Sequence, residues 1–324
     1  MSENELYRQA IRQRALDKIE ELTKYPEIYW QKYYGKSSGD VTKELAQLHQ
    51  QTRSMNGLNG PRNQFELNNE IEALVPKLKA STIQPQQKEF IRQYTGSGGL
   101  ASKGATGEGL LYEFYTPAWL ADRMAKLAYA HGFKDGGKIL EPSIATGELI
   151  RPFVWNENNA PKKNHIVGFE INPTSADITK LLYTAGHPAK LDIYKGYFEE
   201  AFLEYPRFTR KLNTAGTKSW LGNDFDLVIG NPPFGIYQNK YSAYFNKKLY
   251  KQIEIFFILQ SIHLLKPGGL LAFLQSSNFL SNGDKYQYAK EEIGKYAELI
   301  DAYRLPKIFA TSDVPTDIMI LKKY

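Results

Sequence analysis

From about residue 110 onward the chain alternates short apolar runs with stretches of helical periodicity, and this alternation constrains the fold more than any other feature. The runs are KIL before Glu141, HIVGFE ending at Glu170, DLVIG from Asp226, GGLLAFLQ from Gly268, AELIDAYRL from Ala297 and TDIMILKK from Thr316. Runs of this length suit strands buried on both faces. Between them, PAWLADRMAKLAYAHG and KLYKQIEIFFILQSIHLLKPGG read as helices. The second carries Ile253, Phe256, Phe257 and Leu264 on one stripe, with Pro267 and two glycines to stop it. Strand and helix in alternation predict an α/β fold, a mostly parallel sheet with helices on both faces.

Residues 1–92 read instead as a helical extension. Ile11, Ala15, Ile19 and Leu22 recur at helical spacing, and so do Leu67, Ile71, Leu74 and Leu78. NGLNGPRN, at 56–63, divides the segment in two. GSGGLASKGATGEG, at 96–109, has six glycines in fourteen residues. The expected organisation is therefore the extension, a Gly-rich linker over 93–109 and a main domain over 110–324.

The 324 residues include no cysteine, which excludes disulfides, thiolate metal sites and cysteine nucleophiles. The five histidines, at 49, 131, 165, 187 and 263, have no metal-ligand spacing, so no metal is expected. The start is polar and no apolar run approaches the roughly 20 residues of a membrane helix, so a cytoplasmic protein without a membrane partner is expected. Net charge is +6, and the cations cluster. Segment 234–252 carries Lys240, Lys247, Lys248 and Lys251 without an acid, interleaved with Tyr237, Tyr241, Tyr244, Phe245 and Tyr250. Segment 203–222 adds Arg207, Arg210, Lys211 and Lys218 against Glu204. Basic residues mixed with aromatics suit a polyanion with stackable bases. Tyr237, Lys240, Tyr241, Lys247, Lys248, Lys251, Arg207, Arg210 and Lys211 are the candidate nucleic-acid contacts.

Both segments flank Asn231-Pro232-Pro233-Phe234, which stops the DLVIG strand abruptly. Neither proline can donate to a ladder and each fixes φ, so an amide and an aromatic ring are held at a strand's C-terminal end. In open α/β sheets that edge is where ligands bind. KILEPSIATGELI, at 138–150, runs a strand into a turn of small residues and then a helix, letting a ligand approach the backbone, with Glu141 at the strand end. It has neither the glycine pattern of dinucleotide folds nor a Walker lysine. HIVGFEIN ends in Glu170, placed where nucleotide-binding sheets hold ribose hydroxyls, and Ile171 can pack on an adenine face.

With these motifs in view, the chain resembles S-adenosylmethionine-dependent DNA adenine-N6 methyltransferases of the class with motif order X, I, II, III, IV. EFYTPAWLADRMAKLA is similar to motif X, EPSIATG to motif I, GFEIN to motif II and NPPF to motif IV. YTGSGGL, RLP and VPTDIMILKK resemble the methylase module of large phage and plasmid antirestriction-type methylases. The resemblance covers about 94–324.

That resemblance implies a Rossmann-like, seven-stranded, mostly parallel sheet and S-adenosylmethionine as cofactor. Tyr115, Thr116 and Pro117 would surround the methionine end, and Glu141, Ser143, Ala145 and Gly147 would form the turn beneath it. Glu170 would hold the ribose and Ile171 would touch the adenine. Asn231, Pro232, Pro233 and Phe234 would hold a flipped adenine of DNA. Two positions depart from the family pattern. Ala145 stands where motif I usually has glycine, and in YKGYFEE Tyr197 stands before Phe198 where motif III usually has aspartate.

An adenine amino group is a poor nucleophile because its lone pair is delocalised. The Asn231 side-chain oxygen and the Pro232 carbonyl can each accept one of its N–H bonds, more strongly as charge develops. The same logic serves any planar nitrogen, so methylation of RNA or of a protein glutamine stays open, as does an inactive module that binds DNA or a partner. Enzymes of this motif order usually carry a target-recognition domain after the catalytic one. The chain ends at Tyr324 after its presumed last strand, so low intrinsic sequence specificity is expected, or a specificity or sister subunit meeting residues 1–92.

Overall fold

The computed structural model describes residues 64–96, 115–155, 160–184, 190–203, 219–281, 286–305 and 315–324. Its centre is a seven-stranded sheet of β1 (Lys138–Glu141), β2 (His165–Glu170), β3 (Lys190–Lys195), β4 (Phe225–Gly230), β5 (Leu265–Ser276), β6 (Ala297–Arg304) and β7 (Thr316–Lys323). The strand order is β3-β2-β1-β4-β5-β7-β6. Strands β1 to β5 pair in parallel, and β7 runs antiparallel between β5 and β6. This is the mostly parallel architecture that the alternating runs predict.

Helices cover both faces. The described helices are α1 (Gln64–Leu74), α2 (Pro85–Ile91), α3 (Ala118–Ala130), α4 (Arg151–Val154), α5 (Pro173–Tyr183), α6 (Ile253–Leu264), α7 (Ser277–Leu280) and α8 (Gln287–Ile293). Successive strand residues enter opposite layers, as the two-residue period of a strand requires. Ile139, Ile166, Leu227 and Ile229 pack with α1 to α5. Leu140, Val167, Val228 and Phe273 pack with α6 and α8.

Two elements differ from the sequence reading. Strand β3 was not among the apolar runs, because KLDIYK alternates charged and apolar residues. It pairs with β2 at the sheet edge, where Lys190 and Lys195 stand exposed and charge discourages further pairing. Helix α6, expected to bury one stripe, is buried all round apart from partly exposed His263. Its outer side is covered by the chain before it. The Tyr237 ring stacks on Phe256 at 4.8 Å, and Phe245 and Tyr250 meet the same ring edge-on at 4.8 and 5.3 Å.

Residues 64–96 pack onto the sheet's first helical layer. Leu67, Ile71, Val75, Ile91 and Tyr94 are buried in its core, Arg92 lies over the Tyr183 ring, and Asn172 donates to the Tyr94 hydroxyl. Helix α1 stops at Leu74 because Pro76 removes a donor, and a 3₁₀ turn over Val75–Lys77 follows. The expected helix of residues 11–22 and all but the first residue of the glycine-rich 96–109 stretch lie outside the described residues. Among the described residues, no helix is long and apolar enough to cross a membrane, and no cluster of His, Cys, Asp and Glu is placed to hold a metal ion.

Candidate active site

The sheet reverses direction of growth between β1 and β4, the topological switch where open α/β sheets form their binding crevice. A cleft opens there, lined by residues from the ends of β1, β2, β3 and β4. Of the residues singled out from sequence, Tyr115, Ser143, Ala145, Glu170, Ile171, Tyr197, Phe198, Asn231 and Pro233 line it. Thr116, Pro117, Glu141, Gly147, Pro232 and Phe234 are not among the residues that line it.

The turn after β1 is held in an unusual shape. Ala145 has φ +47°, in the left-handed region that disfavours a side chain, and Gly147 has φ +81°. A Cβ on Gly147 would lie 2.7 Å from Cε2 of Tyr183, so only glycine fits there. The Ala145 amide donates to Glu170 Oε2 at 2.8 Å, and the Asn172 amide donates to Glu170 Oε1 at 2.7 Å. Glu170 thereby ties the first turn to the second strand. It does not cap α5; the Asn172 side chain does, accepting from the amides of Thr174 and Ser175. Ile171 stands beside it, 41% exposed, an apolar surface on the cleft wall. The Tyr115 hydroxyl bonds Ser175 Oγ at 2.7 Å, and its ring meets Tyr94 edge-on, so the 64–96 segment backs this wall.

Glu141 does not reach the cleft. Its side chain is fully buried, Oε2 has no hydrogen-bond partner among the described residues, and Oε1 accepts from Ser143 Oγ at 3.4 Å. Burial, aided by the nearby Glu170 charge, raises its carboxyl well above the usual carboxylate range. Ser143 Oγ also lies 3.3 Å from the Asn231 main-chain oxygen. The two turns at the ends of β1 and β4 thus touch.

At the end of β4, Asn231 Nδ2 donates to Thr116 Oγ1 at 3.2 Å. That bond fixes the amide nitrogen toward Thr116, and the side-chain oxygen is the amide's acceptor atom. Pro232 is buried, and Pro233 and Phe234 are half-buried. Beyond them Gly235 is anchored on both polar groups: its carbonyl accepts from the Ile253 amide at 2.8 Å, and its amide donates to the buried Glu254 at 3.2 Å.

Sequence reasoning missed Glu199. It follows Phe198 in a 3₁₀ turn over Phe198–Phe202, is almost fully buried and lines the cleft. Its Oε1 accepts from the Tyr237 hydroxyl at 3.0 Å and from Asn239 Nδ2 at 2.5 Å. Burial raises its carboxyl above the usual range against those two donors and a backbone hydrogen bond. The available signal was an acid two residues after Tyr197, at the motif where an acid was expected.

The candidate nucleic-acid contacts divide. Lys240, Lys247, Lys248 and Lys251 are exposed. Lys240 lies over the rings of Tyr197 and Tyr241, and Lys251 over Tyr288. Tyr237 and Tyr241 are buried, contrary to the expectation of rings open for stacking. Tyr237 is stacked on Phe256, and the Tyr241 hydroxyl donates to Glu200 at 2.6 Å, so both anchor the segment to the core. Arg207, Arg210 and Lys211 lie outside the described residues.

Comparison with known proteins agrees with this architecture. Residues 164–309 match the Eco57I restriction-modification methylase family. Defense against restriction protein B of Escherichia phage P1 is 25% identical over 290 residues, covering 88% of this chain and 11% of that protein. A type II methyltransferase of Thermus thermophilus is 28% identical over 180 residues, covering 51% of this chain and 34% of its own. The chain therefore spans a minor part of the length of these curated relatives. The solved methyltransferase subunit of a Streptococcus thermophilus type I restriction-modification system superposes with a TM-score of 0.53 at 17% identity, covering 88% of this chain and 55% of that one. The chain resembles the methylases of restriction-modification systems and an antirestriction protein, and its fold is the Rossmann-like fold of S-adenosylmethionine-dependent methyltransferases.

Proposed function

We propose that the chain transfers a methyl group from S-adenosylmethionine to the N6 amino group of adenine in DNA. The observation that carries this reading is Asn231, whose amide nitrogen is turned to Thr116 at the edge of the cleft that Glu170 and Ile171 also line. An amide oxygen and the Pro232 carbonyl can draw both amino hydrogens out of the base plane. The acceptors strengthen as positive charge develops on nitrogen, which favours the transition state over the ground state. The prolines keep them from relaxing away, and half-buried Phe234 offers a ring to the base.

The cleft's residues fit the cofactor. Glu170 offers a carboxylate to paired hydroxyls, Ile171 and Phe169 offer apolar surface to an adenine, and Tyr115 lines the cleft next in sequence to Thr116, which holds the Asn231 amide. When bound, S-adenosylmethionine supplies an electrophilic methyl group on a sulfonium sulfur. Glu199 supplies the acid that Tyr197 does not, in the same wall. The exposed lysines suit phosphates, which position a duplex without specifying sequence, so a low sequence preference belongs to this reading. A specificity or sister subunit meeting residues 1–92 belongs to it as well.

The test is methyl transfer from tritiated S-adenosylmethionine to DNA, RNA and protein, followed by enzymatic digestion. Label recovered as N6-methyladenine from DNA is the expected result. Label in RNA or in glutamine would overturn the substrate, and cofactor binding without transfer to any of the three would overturn the activity.

A further inference from the structure

Ile236 is 73% exposed, more than any other large hydrophobic side chain among the described residues. It stands two residues beyond Phe234 in a stretch whose backbone is closely held. Ile236 pairs antiparallel with Gln252, flanked by the Ile253 amide on the Gly235 carbonyl at 2.8 Å and the Tyr237 amide on the Lys251 carbonyl at 3.2 Å. Glu254 holds the Gly235 amide, and the Tyr286 hydroxyl in turn donates to Glu254 at 2.9 Å. Tyr237 is locked inward by Phe256 and Glu199. Because neighbouring residues of an extended chain point to opposite sides, an inward Tyr237 forces Ile236 outward. The same segment, 234–252, carries Lys240, Lys247, Lys248 and Lys251, all exposed.

An apolar side chain fixed outward beside a base-holding turn, on a segment with four exposed lysines, has the chemistry of a wedge between base pairs. We propose that Ile236 enters the duplex at the gap left when the target adenine leaves the stack, and holds the gap open. The inference rests on the DNA reading of the site and adds the residue that stabilises the extruded state. Removing a base exposes the apolar faces of its neighbours, and a branched aliphatic side chain on a rigid support covers them without ordering a flexible segment. The lysines would meet the flanking phosphates while Ile236 fills the stack.

The experiment compares wild type, Ile236→Ala and Ile236→Leu on one DNA, presented as duplex and after denaturation to single strands, with tritiated S-adenosylmethionine. A wedge acts on the duplex alone. The ratio of duplex to single-strand kcat/KM is expected to fall at least fivefold in Ile236→Ala and to return to within twofold of wild type in Ile236→Leu. An equal fall on both substrates would make Ile236 a general contact and overturn the wedge. Unchanged rates on both would assign the exposed side chain to a protein partner and also overturn it. Wild-type protein that methylates neither form of DNA would overturn the DNA reading on which the wedge rests, a result distinct from any change in ratio.

Discussion

The Tyr237 hydroxyl donates to the Glu199 carboxylate at 3.0 Å, joining the cleft wall to the segment that follows the Asn-Pro-Pro-Phe turn. A buried carboxylate that loses one of its donors keeps its desolvation cost. Tyr237→Phe is expected to lower unfolding free energy by about 1.5–3 kcal/mol in urea titration. It should also weaken S-adenosylmethionine several-fold in calorimetric titration. Unchanged affinity would separate Glu199 from the cofactor.

Ala145 and Gly147 share one turn and differ in what they tolerate. At φ +47° the Ala145 side chain strains the backbone, so Ala145→Gly is expected to be neutral or stabilising by up to about 1 kcal/mol, the unfolded chain's extra freedom offsetting part of the relief. Gly147→Ala adds a left-handed alanine and drives its Cβ into Tyr183 and Thr179, an expected loss of about 2–4 kcal/mol. Denaturant midpoints of the two variants check the contrast; equal losses would contradict the turn geometry.

Stability should depend on Glu141. Its carboxyl is raised above the ordinary 4.5, first by burial and then by the charge of Glu170. A group raised in the folded state contributes its full stability below the ordinary value and loses it as pH climbs toward the folded value. Glu141→Gln stays neutral throughout. Its melting temperature is therefore expected to gain on wild type as pH rises from about 5 to about 8. A gap that does not widen over that interval would mean the carboxyl titrates normally.

Asn231→Ala and Glu170→Ala are expected to fail differently. Asn231 acts in the transition state, so its loss should abolish turnover and leave S-adenosylmethionine affinity within about threefold. Glu170→Ala removes an acceptor that also holds the amides of Ala145 and Asn172, so affinity should fall by roughly 10- to 100-fold. Substantial turnover in Asn231→Ala would sink the proposed chemistry.

Lys247 and Lys248 are exposed on the segment that carries Ile236. If both meet phosphate, replacing them with glutamine should reduce the slope of log affinity for DNA against log salt by about 2. An unchanged slope would remove this face from the interface.

Much of the fold was legible because its signals are local. Strands β1, β2, β4, β5 and β7 are apolar runs whose composition suits a buried sheet whatever surrounds them, whereas β6, read among them, is a largely exposed edge strand. Asn231 and Glu170 could be picked out because each ends such a run, and strand ends in a parallel sheet face the crevice. Strand β3 escaped because an edge strand need not be apolar on both faces. What only the tertiary structure decided are choices between partners distant in sequence. Tyr237 and Tyr241 look alike to a composition argument whether they meet bases or the core; Phe256, Glu199 and Glu200 supply the contacts that bury them. Glu199 reaches the cleft because a 3₁₀ turn rotates it inward, and Ile236 faces outward because its neighbour is held inside. Burial is a property of the assembled layers, and a residue's own chemistry sets only what burial costs it.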